Sequence, residues 1–352
     1  MATTNTRKRL DQLDTLRFLS MVLIVFNHTW GRFNYPYQDR LMFFYNIGTI
    51  ANYMFFMISG LLIAMFYKER IEKGMTFNEF FFGRYLNIFP MYFMGVLCQI
   101  LVILLYRAEN TLTVKNLVLA FLMIPCGWTT EDIAAAYNVP TWFIAVLLLC
   151  YIIYYFIIKL SQKFPNVYFI SLIIMVVWGM ILLERSWNFP FNFRINGEGY
   201  ANFFLGVLVC EVYNRSKELK YEYFIDILLA VIFVIIAITS AIHGIENVSG
   251  DLRWTLILLD VCILYLAINN KILGRILSFK PLAWLGTLTM EMCFLHIPSA
   301  GAYQYVMYNV RRFIPSDAGN MFAYWVILFG LSVAFHYGWT KRINLKVLFQ
   351  KK

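Results

Sequence analysis

Charge is what this sequence has least of. Only 14% of its 352 residues are Asp, Glu, Lys or Arg, against roughly a quarter in a soluble domain. With 61% apolar and 18% aromatic residues, that shortage excludes a soluble protein and predicts an integral membrane one. CxxC pairs are also lacking. The six cysteines, Cys98, Cys126, Cys150, Cys210, Cys262 and Cys293, fall mostly in apolar runs and have no His partner at metal-ligand spacing. Neither a disulfide framework nor a metal site is expected. Internal repeats, low-complexity tracts and heptads are missing, and so is any long soluble segment. Residues 1–352 therefore read as one membrane domain, and whatever chemistry occurs must occur in the bundle. The formal charge of +10 would suggest nucleic acid in a soluble chain. Here Lys and Arg lie in short segments between apolar runs, so no nucleic-acid partner is expected. Arg7, Lys8 and Arg9 stand before the first apolar run as in a signal peptide. No small-residue cleavage site follows, which predicts a retained first helix.

A span needs about 20 apolar residues. On that criterion the sequence predicts an all-α, ten-span bundle, with spans at Leu13–Phe33, Phe43–Phe66, Tyr85–Tyr106, Trp142–Ile158, Val167–Leu183, Tyr200–Val212, Phe224–Ile242, Trp254–Ile268, Leu282–Met307 and Met321–Trp339. Tyr67–Gly83 reads as a polar connection. Leu117–Pro125 is apolar but too short to cross, and a polar segment with Glu131 and Asp132 follows it. Ten crossings put both termini on one side. That side carries 20 of the 30 Lys and Arg residues, the other side carries nine, and Arg17 is the one left over. The asymmetry predicts cytoplasmic termini.

The first span carries two polar residues where a membrane helix tolerates few. Arg17 and His28 are eleven positions apart, about three turns plus 20°, so they share one helix face about 16 Å apart along the axis. Ionisable residues within a bilayer usually face a bundle interior or a watery cavity, and so mark function. The alternative is that Arg17 snorkels to the inner interface and His28 to the outer one. Three further histidines are present. His296 lies in LGTLTMEMCFLHIP with Glu291 close in sequence, and it is either a second cavity residue or a helix-packing hydrogen bonder. His243 sits at an outer helix end. His336 has no polar company in its span and reads as a packing residue. Ser59–Gly60 in FFMISGLLI predicts close helix packing. Arg84, in FFFGRYLNIFP, already lies at membrane depth, and a guanidinium fork suits phosphate. Lys68, Arg70 and Lys73 are ordinary positive-inside charge.

These segments together resemble the acyltransferase-3 family of membrane acyltransferases. Arg-x10-His inside LDTLRFLSMVLIVFNH is similar to its first-helix signature, FFMISGLLI to its FFxLSGFLI, and RYLNIFPMY to its R-x-x-R-I-x-P-x-Y. PTWFIAVLLLCYIIYYF resembles its WFLxALLLxY helix, and LGTLTMEMCFLHIP its LGxxSxEIYLxH element. The resemblance runs from the first span to the ninth. It implies a ten-helix enzyme of a bacterial-type plasma membrane that takes an acyl group, usually acetyl, from cytoplasmic acyl-CoA. The acceptor it implies is a hydroxyl on an extracytoplasmic glycan or lipid-linked saccharide. On this resemblance His28 matches the catalytic histidine, Arg17 the essential arginine, Asp14 the acidic residue of the same motif, and Arg84 the first arginine of the third-helix motif. No bound cofactor is implied; acyl-CoA is the donor substrate, with Arg17 and Arg84 expected to hold it and His28 and His296 near the acceptor. Two positions depart from the pattern: Asn87 replaces a second arginine, and Leu147 a glutamate found in some members. The competing reading is a transporter or flippase for a lipid-linked sugar, whose path the same Arg and His would line. An internal repeat, which many transporters carry, is not visible.

Overall fold

Helices account for nearly all the regular structure, because a backbone in hydrocarbon must satisfy its own hydrogen bonds. The computed structural model describes residues 10–33, 44–48, 51–108, 111–130, 136–185, 187, 189–217, 224, 226–232, 234–235, 251–269, 271–311 and 317–343. Arg7 to Arg9, Glu131, Asp132, His243 and most of the expected seventh span lie outside the described residues. Among the described residues there is no strand. In chain order the helices are α1 (Asp11–Thr29), α2 (Ala51–Glu72), α3 (Phe77–Leu105), α4 (Val114–Phe121), α5 (Thr141–Ser161) and α6 (Val167–Glu184). They continue as α7 (Arg194–Ser216), α8 (Asp251–Ile268), α9 (Ile272–Leu277), α10 (Lys280–Gly286), α11 (Thr289–Tyr305) and α12 (Asp317–Phe335). Single π turns extend α11 over Val306–Val310 and α12 over His336–Thr340.

Five described stretches are long and apolar enough to cross a membrane: Phe44–Glu72, Phe77–Leu105, Thr141–Ser161, Val167–Glu184 and Gly319–Thr340. The helices that miss this mark include those that carry polar side chains inward. α1 buries Gln12, Asp14, Thr15, Ser20 and Thr29, and α7 buries Asn196, Asn202 and Glu211. α3 and α6, by contrast, present Leu101, Leu104, Ile170, Ile173 and Val177 outward. The polar connection expected over Tyr67–Gly83 is much shorter than its sequence suggests. α2 continues to Glu72 and α3 starts at Phe77, because Thr76 and Glu79 close a reciprocal capping box and Gly74 takes a φ of +103°. Such a cap lets a helix begin among polar residues well before its apolar run. The expected ninth span is likewise divided, with a break at Thr287–Leu288 between α10 and α11.

Cross-helix contacts give the relative directions. Asp11 pairs with Lys280 and His28 with His296, so α1 runs parallel to α10 and α11. α3 runs parallel to α11, with Gly95 against Phe294 and the Tyr106 hydroxyl donating to Gly301 O. α2 and α7 run parallel: Asn52 meets Glu198, Gly60 faces Phe203, and Lys68 reaches Glu211. α5 lies parallel to α2, with Phe56 on Phe143 and Lys159 on Ile71 O. α6 is antiparallel to α7, Gly179 abutting Ala201 and Gly197 abutting Leu183. α8 enters beside the end of α6 through Arg253 and Glu184 and meets α7 at Tyr265 and Ser216, so α8 runs with α7. α12 is antiparallel to α11, pairing Tyr303 with Asn320 and Glu291 with His336.

Glycines on both helices set the crossing of α2 and α7. A Cβ at Gly60 would lie 1.9 Å from Phe203 O, and one at Gly206 would lie 2.0 Å from Met57 O. Small residues at such points let backbones touch, which is how packing drives association when lipid offers no hydrophobic gain.

Candidate active site

α11 carries a proline inside it, two residues after His296. Pro298 lacks an N–H, so the Phe294 carbonyl four residues earlier loses its helical partner. The Asn138 side chain, immediately before α5, supplies the missing donor at 2.8 Å. Asn138 is held in turn by the Thr141 hydroxyl, which donates to its carbonyl at 2.7 Å. Gly95 makes room on α3, since a Cβ there would sit 3.1 Å from Asn138 Nδ2 and 2.6 Å from Phe294 Cβ. On the other side Tyr324 of α12 donates to His296 O at 3.0 Å. Two helices and a loop thus grip one turn of α11.

That turn presents His296 to α1. His28 Nδ1 and His296 Nε2 are 2.9 Å apart. The rings lie within 13° of parallel with centroids 5.2 Å apart. With the nitrogens so much nearer than the centroids, the rings meet edge to edge and not face to face. His296 is buried and its Nδ1 lies 3.0 Å from Met292 O. His28 is partly exposed. The Arg32 guanidinium lies within electrostatic range of both rings.

The other pole of the stripe lies about three turns away along α1. Arg17 Nη1 is 3.3 Å from Asp14 Oδ1. α10 packs on this first turn, Gly286 lying so near that a Cβ would come within 2.1 Å of Asp14 O. Arg84 of α3 covers the Tyr67 ring, its guanidinium carbon 4.2 Å from the centroid. Both Arg84 and Arg17 act electrostatically on the Tyr151 hydroxyl. Arg17 and Arg84, far apart in sequence, therefore both lie within electrostatic range of one residue of α5. Asn87, one turn beyond Arg84, is exposed, and Leu147 is buried in α5.

A family model described as an acyltransferase domain matches residues 10–338. The chain belongs to the acyltransferase-3 family. No curated protein and no solved structure matches it. The match covers both poles of the α1 stripe, and the apolar helices agree with a membrane acyltransferase. In this acyltransferase-3 protein the packing role expected of His336 has a specific partner on another helix. Its Nδ1 lies 3.0 Å from Oε1 of the fully buried Glu291, an interhelical hydrogen bond. The partner was hidden because it comes from another helix, 45 positions earlier. Sequence reasoning also passed over Tyr151, Asn138 and Tyr324. Pro298, two residues after His296, was the available signal, since an interior proline leaves a carbonyl in need of a donor. Nothing in the local pattern says which residue donates.

Proposed function

We propose that this acyltransferase moves an acyl group, acetyl above all, from cytoplasmic acyl-CoA to a hydroxyl of an extracytoplasmic glycan or lipid-linked saccharide. The observation that carries the reading is the in-line contact of His28 and His296, 2.9 Å apart, on the same α1 that holds Arg17. A neutral histidine is a competent base for a hydroxyl, or can accept an acyl group and pass it on. Arg17 and Arg84, both within electrostatic range of Tyr151, supply planar forks for the phosphates or thioester carbonyl of the donor. Asp14 orients Arg17 through their contact at 3.3 Å. The acyl group is made on one side of the membrane and the acceptor stands on the other, and a stripe about 16 Å long reaches toward both.

The molecule we propose is a single ten-span domain over residues 1–352 in a bacterial plasma membrane, surrounded by lipid, with both termini cytoplasmic. The helix directions support it: α1, α3, α6 and α11 run one way, and α2, α5, α7, α8 and α12 the other. Because α7 and α8 share a direction, the chain between them has to return once. The expected seventh span, Phe224–Ile242, is the apolar run available for that return.

Mass spectrometry of surface glycans from wild-type and deletion cells tests the reading. A missing acyl mass in the deletion, restored by the wild-type chain and not by His28→Gln, is expected. Unchanged acylation with a lost surface saccharide would point instead to a flippase.

A further inference from the structure

The contacts of His296 specify which nitrogen of His28 reacts. A carbonyl oxygen only accepts, so the His296 nitrogen 3.0 Å from Met292 O must carry a hydrogen. His296 is fully buried, and among the described residues no carboxylate bonds it. A charge there would be expensive, so the ring is neutral. A neutral imidazole with hydrogen on Nδ1 presents a lone pair at Nε2. That lone pair faces His28 Nδ1 at 2.9 Å, which leaves one direction for the hydrogen bond: His28 Nδ1–H donates. The near-coplanar, edge-to-edge rings suit this donation. His28 Nε2 is then the nitrogen without hydrogen, and among the described residues no group bonds it.

We infer that His296 is a positioning residue that holds neutral His28 in the Nδ1–H tautomer, making His28 Nε2 the atom that receives the acceptor's proton. The inference rests on the acyl-transfer reading above. In the step it serves, Nε2 takes the hydroxyl proton as the oxygen attacks the thioester carbonyl. The new C–O bond forms, the C–S bond breaks, and the sulfur leaves with the electron pair. The thiolate then takes the proton from the His28 imidazolium and leaves as the CoA thiol. While His28 is cationic its Nδ1–H still donates to His296, so the same contact steadies the charged intermediate state. A lone histidine lacks this restraint, and the alternative tautomer would place a hydrogen on the working nitrogen.

The test uses the full chain in detergent or nanodiscs, labelled with ¹⁵N-histidine, the His28 signals being assigned by their loss in His28→Gln. The expected wild-type spectrum shows His28 with a hydrogen-bearing Nδ1 and a lone-pair Nε2. His296→Leu should remove the tautomer preference and lower kcat about 10²-fold, with a much smaller change in acceptor KM. His296→Gln can accept the same hydrogen through Oε1, and it should recover about tenfold or more of that loss. A wild-type His28 bearing hydrogen on Nε2 would overturn the inference even if His296→Leu fails to fold. So would a folded His296→Leu variant with wild-type kcat. Should the wild-type chain transfer no acyl group at all, the functional reading falls, and the nitrogen signals report the tautomer separately.

Discussion

At the scale of single residues, His28 is the sharpest point of the site. His28→Gln keeps a side chain that can hydrogen-bond but cannot take a proton. Removing a general base lowers rates about 10²–10⁴-fold, and a loss of that size is expected in acyl transfer by the purified variant, with normal membrane insertion. Near wild-type turnover would refute the histidine mechanism and leave the fold untouched. Arg17→Lys separates geometry from charge, since the ammonium keeps the charge and loses the fork; a nearly inactive, normally inserted protein is expected. Arg84→Ala should raise the KM for acyl-CoA about tenfold or more, as a hydrogen bond to a charged group contributes about 1.5–3 kcal/mol. Lys73 is exposed and paired with Glu69, so its replacement should do much less. Equal effects of the two changes would argue for general attraction of anions. Arg17, His28 and Arg84 were legible as polar residues at membrane depth, which any hydropathy reading isolates. His296 was legible only as one of two possibilities, because a histidine inside a span can serve packing as well as chemistry.

At the scale of elements, the crossings matter more than the helices themselves. α2 and α7 touch backbone to backbone at Gly60 and Gly206. Gly60→Val should force them apart, since the obstacle is a carbonyl oxygen and not a flexible side chain. Overpacking of this kind costs about 1–3 kcal/mol, readable as an earlier thermal transition in detergent; an unchanged transition would contradict the described crossing. The proline turn of α11 has its own dependence. Asn138→Leu leaves the buried Phe294 carbonyl unpaired, at about 1–3 kcal/mol, and it loosens the turn that carries His296. Reduced stability together with reduced kcat is expected. Loss of neither would show that Asn138 is not needed to hold that turn. The Ser59–Gly60 pair was legible in the sequence as a small-residue patch. Its partner helix was not, because a small residue states how near a neighbour can come and not which one it is.

At the scale of the whole molecule, direction is the quantity to measure. Reporter fusions after Asn192 and Asp317 should read as extracytoplasmic, and those after Lys220 and Lys280 as cytoplasmic. Finding Asn192 and Lys220 on one side would remove the crossing by α7 and with it the ten-span count. The sequence by itself determined that this is a membrane protein, where most of its helices fall, and that Arg17 and His28 share a face. Those properties follow from apolar transfer energies summed along a local stretch and from the 3.6-residue turn. Family membership was legible for the same reason, as ordered motifs survive in one dimension. Only the tertiary structure decided that His28 meets His296, that Arg17 and Arg84 come within electrostatic range of one Tyr151, and that His336 has Glu291 for a partner. Each of these joins groups on different helices, and their meeting depends on how closely glycines let the backbones pack.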